Sequence, residues 1–250
     1  MTITIRTYTS PTESTVRVVD IADFDAKQRR VSINSHNSIK NDSEWVQGAV
    51  LPYLASNDIG METLTVSLWV YGETREAIAE KCSNILALLL QPVELTLDGW
   101  SHRFHGTLKS CKHDETAVDR WHVMTLTFDG YEFGTEVTAS GSSAVKVNNP
   151  GNVESPCKVV ITPSQAISVI TIHGLCRDSF TGEDLPIEIA NLVRGKAVTI
   201  DAITGAVVDS DGNPKKMNLW RYPSVPPGRS SVTCDSAYAT LDITVRPLYI

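Results

Sequence analysis

The stretch METLTVSLWVYG, residues 61–72, sets Leu64, Val66, Leu68 and Val70 at every second position, with Thr65, Ser67 and Trp69 between them. Successive side chains of a strand point to opposite faces, so this spacing predicts a strand with one apolar face toward a core. The next segment changes period. From Thr74 to Leu90 the apolar residues Ile78, Cys82, Ile85, Leu86 and Leu89 recur at three and four residues, which is one stripe on a helix. Thr74 can accept from the free amides at its start, and Pro92 prevents its continuation. Upstream, Ile3/Ile5, Val16/Val18 and Val31/Ile33 alternate in the same way. Downstream, VELTLDGWSHRFHGTLKS, residues 93–110, reads as a hairpin turning at Asp98-Gly99, and His122, Met124, Leu126 and Phe128 give a further strand. Residues 1–134 are therefore expected to form a β-sandwich with one helix, about 74–90. Within them Asn34 to Gly60 has weak periodicity but holds Trp45, Val50, Leu51, Tyr53 and Leu54, which marks a long interaction element.

The run GTEVTASGSSAVK, residues 134–146, lacks large apolar side chains, and the spacing predicts a linker over 135–144. Beyond it, KVVIT, SVITI, PIEIANL, AVTID, GAVVD and ATLDITV alternate between Gly, Pro, Asn and Asp turns with no helical period. Short strands so punctuated predict a second β-sandwich over 145–250. The fold class is mainly β.

Composition narrows the function classes. A chain of 250 residues with 42% hydrophobic and 20% charged residues can bury full cores without staples. The start MTITIRTYTS lacks the basic flank and apolar run of a signal peptide, and no stretch approaches the roughly 20 apolar residues of a membrane span. Cytoplasmic synthesis without membrane insertion is expected. Cys82, Cys111, Cys157, Cys176 and Cys234 are widely spaced and read as free thiols. The net charge of −7 argues against a general nucleic-acid binder. Residues 1–135 carry −6 of it and residues 136–250 carry −1.

No nucleophile elbow, phosphate loop, dinucleotide fingerprint or HExxH run is present, so no catalytic residue and no cofactor are assigned. His102, His105, Cys111, His113 and His122 lie close in sequence, but on a strand His102 and His105 face opposite sides, and none of the spacings is that of a structural zinc site. Ordinary strand histidines, and no metal, are expected. Asp209-Ser-Asp-Gly-Asn213 opens like a calcium loop, but its glycine is fourth rather than sixth and Trp220 stands where the bidentate Glu belongs, so a hairpin turn is expected. Trp220, Tyr222 and Tyr238 could stack on sugar rings, which makes a carbohydrate-binding module the main rival to core packing or a subunit contact. A hydrolase built from dispersed groups is a third reading.

The second half carries a characteristic order of segments: Asn149-Pro-Gly-Asn152 and Ser155-Pro156 before a strand, then IEIANLVRGKAVTIDAITGAVVDSDGN over 187–213, then WRYPSVPPG over 220–228. It resembles the C-terminal part of the siphophage distal tail protein family, and the order of strands and lone helix in the first half is similar to that family's ring-forming domain. Arg229-Ser230-Ser231 departs from the Asn that often follows the family's "PG" turn, and 250 residues leave no room for inserted carbohydrate-binding modules. The resemblance implies a galectin-like second sandwich and a hexameric ring of this chain at the tail tip. It implies as partners the tail tube protein, the tail-associated lysin or hub protein and a receptor-binding protein, with DNA passing through the lumen unbound. Candidate subunit or partner contacts are Trp45, Leu51, Tyr53, Trp69 and Tyr71. The virion tail tip is the expected location, after assembly in the host cytoplasm. An acidic lumen would let phosphates slide, and Asp20, Asp23, Asp25, Asp114, Glu115 and Asp119 are its candidate carboxylates.

Overall fold

The computed structural model describes residues 1–8, 14–34, 39–44, 47, 53–178, 181–218 and 221–250. The chain divides into two compact units, residues 1–7, 15–133 and 250 in one, 8–14 and 134–249 in the other.

The first unit is built from β1 (Thr2–Tyr8), β2 (Ser14–Asp20), β3 (Ala26–Asn34), β4 (Ile39–Glu44), β5 (Tyr53–Ile59), β6 (Glu62–Tyr71), α1 (Arg75–Leu88), β7 (Val93–Thr96), β8 (Arg103–Glu115) and β9 (Trp121–Phe133). Its main sheet runs β2-β1-β7-β8-β9-β6-β3. The alternation in β6 is realised without exception: Leu64, Val66, Leu68 and Val70 are fully buried, and the residues between them are half-buried. Each such side chain contributes about 1.5–3 kcal/mol by leaving water. The layer opposite is α1, whose Ile78, Cys82 and Ile85, followed by Leu89, join Ile3, Ile5, Leu95, Phe104, Met124 and Phe128 in one core. The Thr74 hydroxyl accepts from Ala77 N at 3.2 Å and caps the helix. Asp98-Gly99 turns the β7–β8 hairpin, with Gly99 at φ 80°.

Three features depart from simple alternation. The segment expected to be an aperiodic interaction element contains the β4–β5 hairpin, with Ile39 opposite Ile59 and Glu44 opposite Tyr53. Its polar sequence gives no two-residue period, which is why backbone pairing was invisible. In β8 the register against β9 shifts between Leu108 and Ser110. One extra residue reverses the parity of everything after it. Leu108 lies opposite buried Phe128, whereas beyond the bulge Cys111 and His113, rather than Ser110 and Lys112, lie opposite Leu126 and Met124. Finally, the core position one step before Leu64 is Glu62, 2% exposed, whose Oε2 has no hydrogen-bond partner among the described residues. Burial, and then the charge of Glu132, push its carboxyl up to about 7. Glu132 itself lies 2.6 Å from His102 Nδ1. The neighbouring Gly130 and Gly106 admit no side chain, since a Cβ on Gly130 would stand 2.1 Å from the His105 carbonyl oxygen.

The second unit contains β10 (Val137–Gly141), β11 (Ala144–Asn149), β12 (Ser155–Pro163), β13 (Ile167–His173), β14 (Ile187–Leu192), β15 (Val198–Asp201), β16 (Ala206–Asp209), β17 (Met217–Asn218), β18 (Ser224–Val225), β19 (Gly228–Cys234), β20 (Ala239–Val245) and β21 (Leu248–Tyr249). One sheet runs β10-β20-β12-β15-β16 and the other β11-β19-β13-β14-β17. Val159, Ile161, Ile200 and Ile243 of the first and Val147, Ile170, Ile189 and Val232 of the second form one core, the signature of a sandwich. The run 135–144 is not an open linker. Its Val137–Gly141 pairs with β20, Ala139 opposite Ile243, as the outer strand of its sheet, where small polar residues serve as well as large apolar ones.

The Asn149-Pro-Gly-Asn152 motif has a structural use. Asn149 is 1% exposed; its Nδ2 donates to Val225 O (2.8 Å) and Val153 O (3.1 Å), and its Oδ1 accepts from Gly151 N (2.9 Å). Ser155 Oγ, 3.0 Å from the same Nδ2, accepts from Leu248 N at 2.9 Å. One amide thus joins the β11–β12 turn to β18, and Ser155 carries the link on to β21.

Candidate functional site

Strand parity puts Trp69 and Tyr71 on the face of the first unit's sheet that is turned away from its core. Trp69 lies opposite Lys27 of β3 and Val123 of β9, and Tyr71 opposite Trp121. The rings meet: Trp69 and Trp121 edge to face with centroids 6.2 Å apart, Tyr71 and Trp121 at 5.1 Å. The Arg29 guanidinium stands 4.7 Å over the Trp69 ring, a contact worth about 0.5–1 kcal/mol at an accessible site. The loop after β8 closes the other side. Thr116 Oγ1 donates to Trp121 O at 2.6 Å and accepts from Val118 N at 3.2 Å, which holds Val118 over the rings while leaving it 58% exposed. The result is an open hollow of about 490 Å³ lined by Lys27, Trp69, Thr116, Ala117, Val118 and Trp121. A smaller one of about 310 Å³ runs from Trp121 and Tyr71 to Ala22, Asp25 and Ala26.

Two tryptophans on the solvent face of a sheet are not needed for its core, and clustered aromatics with a cationic rim are the composition of protein contact surfaces. The described lining is mainly apolar and aromatic, with Lys27 and Thr116 as its polar members, a composition suited to binding. Trp121 was missed in the sequence because it begins a strand rather than sitting within an alternation. Trp45 and Leu51 lie outside the described residues; Tyr53 begins β5, and its side chain is likewise outside them.

Two of the carbohydrate candidates, Tyr222 and Tyr238, are not brought together. Tyr222 Oη donates to Gly205 O at 2.8 Å, beside the β15–β16 turn, whereas Tyr238 lies past the far end of β12, its carbonyl accepting from Ser164 N at 2.7 Å. In the register, Asp201 stands opposite Lys158 near the first end of β12 and Ala239 opposite Pro163 at the last. Five residues separate those points, roughly 17 Å at strand rise. Trp220 lies outside the described residues. In the Asp209–Asn213 turn the Asp209 carboxylate faces inward, Oδ1 accepting from Asn213 N at 2.9 Å and Asp211 N at 3.0 Å. Those donors, the Asn213 amide first, hold its carboxyl below the usual range, and the oxygen is committed to the turn rather than to an ion.

The histidines part ways. His102 pairs with Glu132, and His105 packs on Phe133 at 6.2 Å. His113 Nε2 lies 2.7 Å from His122 Nδ1 and 3.9 Å from Cys82 Sγ. Of the candidate lumen carboxylates, Asp25 pairs with Lys81 (2.6 Å), Asp114 with Lys112 (2.9 Å) and Glu115 with Arg75. Asp20 caps the short helix Ile21–Phe24. Asp23 and Asp119 are exposed.

No protein-family model and no curated protein matches the chain. Among solved structures it is similar to the SPP1 Dit (gp 19.1) protein, described as a paradigm of hub adsorption apparatus in Gram-positive infecting phages: TM-score 0.68, 13% identity, all of both chains covered. It is also similar to a chain of the phage P2 baseplate in its activated conformation with Ca, with TM-score 0.54 and 12% identity over 97% of this chain and 96% of that one. Along its whole length, the chain has the fold of the SPP1 Dit protein.

Proposed function

We propose that this chain is a structural component of a bacteriophage tail tip, a distal tail protein of the hub, and that its work is assembly rather than turnover. The observation that carries this is the likeness to the SPP1 hub protein, which covers 100% of this chain and 100% of that one. The aromatic surface around Trp69, Tyr71 and Trp121 supports it, because a chain that acts by repeated contacts needs an adhesive face outside its cores. In this reading residues 1–134 close a homo-hexameric ring between the tail tube protein and the tail-associated hub protein. The galectin-like second domain, residues 145–250, faces outward toward a receptor-binding protein.

DNA passes through the lumen without being held. The excess of −6 on the first 135 residues suits that role. The ion pairs at Asp25, Asp114 and Glu115 leave Asp23 and Asp119 as the better candidates for an acidic wall. The carbohydrate-binding alternative is not adopted, because Tyr222 and Tyr238 lie at opposite ends of β12.

Light scattering across a concentration series tests the assembly. A hexamer, or a monomer–hexamer equilibrium that Trp121→Ala shifts toward monomer, is expected. A monomer at every concentration, unchanged by the substitution, would overturn the proposed ring.

A further inference from the structure

The parity change in β8 has gathered side chains of a different kind on the core side of the sheet. We propose that Cys82, His113 and His122, with Cys111 as the fourth ligand, bind a divalent transition ion of the zinc class.

His113 and Cys111 share one face of β8, opposite Met124 and Leu126, and His122 lies on the same face of β9 two residues before Met124. Cys82 comes from α1, the layer packed over that face. The donor atoms converge: His113 Nε2 is 2.7 Å from His122 Nδ1 and 3.9 Å from Cys82 Sγ. Cys111 stands two residues before His113 on the same face of β8. As they stand, no three such groups among the described residues are spread as a complete ligand shell. An ion about 2.05 Å from each nitrogen and 2.3 Å from sulfur sets tetrahedral neighbours roughly 3.3 Å (N to N) and 3.6 Å (N to S) apart. The two observed separations bracket those values, differing from them by about 0.6 Å (N to N) and about 0.3 Å (N to S).

The donor set favours the same ions. Two imidazoles and two thiols select zinc and its neighbours over calcium or magnesium. Cys82 and His122 are 8% and 4% exposed, whereas His113 and Cys111 are exposed, which gives a dry wall on one side and an entry on the other. Binding moves the ring proton between the imidazoles to the far nitrogen of its own ring, a tautomer change without net loss, and releases the two thiol protons, so the balance is one ion taken up for two protons lost. This inference is independent of the tail-tip reading. An ion here would fasten α1 to the ends of β8 and β9 whatever the chain assembles into.

The test uses the full-length chain, reduced and dialysed, with Co²⁺ as the spectroscopic probe and Zn²⁺ as competitor. Tetrahedral ligand-field bands with a sulfur-to-metal charge-transfer band are expected, bleached by about one equivalent of Zn²⁺ per chain. Cys82→Ser should remove the charge-transfer band contributed by the buried thiol. Exposed His113→Asn, which leaves the core untouched, should weaken Co²⁺ binding about a hundredfold or more, since even outer-shell partners cost ten- to a hundredfold. His102→Asn should change neither. Absence of tetrahedral bands in the reduced parent chain, or bands of equal strength and affinity in folded His113→Asn, would overturn the proposal.

Discussion

Replacing Glu62 by Gln turns one buried proton into a measurable slope. Glu62 is 2% exposed, its Oε2 has no hydrogen-bond partner among the described residues, and its carboxyl is pushed from 4.5 up to about 7, by burial first and then by Glu132. Below pH 4.5 the group is protonated in folded and unfolded chains alike and ionisation costs nothing. Between 4.5 and about 7 the unfolded chain loses the proton while the folded chain keeps it. The folded state then binds more protons, and stability falls as pH rises. At 1.36 kcal/mol per unit the loss reaches about 3 kcal/mol by pH 7 and stays there at higher pH.

Glu62→Gln abolishes that loss and keeps the neighbours Glu132 and His102. The quantity to measure is therefore the stability difference between variant and parent, by urea denaturation from pH 4.5 to 8. Tryptophan fluorescence reports mainly on the first unit, because Trp45, Trp69, Trp100 and Trp121 fall within residues 1–134. Whatever offset the amide introduces, the difference should move in the variant's favour by about 3 kcal/mol across the window and then level off. A difference that stays flat from pH 4.5 to 8 would refute the claim that burial holds this carboxyl protonated in the folded chain.

Other substitutions test separate links. Leu68→Asp puts a carboxylate at a fully buried position of β6 and should cost several kcal/mol, enough to abolish the first unit's cooperative melting; an unchanged melting temperature would show that the wrong face is inside. Asn149→Ala removes the amide joining Val225, Val153 and Gly151, and should destabilise the second unit by about 3 kcal/mol in chemical denaturation. Trp121→Ala should leave circular dichroism unchanged yet raise the concentration at which hexamers form by tenfold or more, since aromatic anchors carry about 2 kcal/mol or more in protein contacts.

Legibility followed distance along the chain. The β6 alternation and the α1 stripe are local, and the sequence predicted both within a residue or two because period and parity are set by neighbours. The same alternation already placed Glu62 inside, one step before Leu64; a charged residue at a strand's first position simply invites a different reading. The β10 strand carries Thr138, Ser140 and Gly141, small residues that an outer strand tolerates and a turn equally prefers. The convergence of His113, His122 and Cys82 was beyond sequence reasoning. It depends on the bulge after Leu108, which reverses the parity of β8, and on a helix packed across the face. The aromatic surface was half legible: Trp69 and Tyr71 follow from β6 parity, while Trp121 enters only through cross-strand register with Tyr71.

The central claim is that copies of this chain close around a channel. Electron microscopy of the purified full-length protein, with class averages computed without imposed symmetry, tests it most directly. Sixfold rings with a central opening, an inner band formed by residues 1–134 and peripheral lobes formed by residues 145–250 are expected. Averages showing only separate monomers at concentrations where light scattering is constant, or rings with the peripheral and inner parts exchanged, would contradict it.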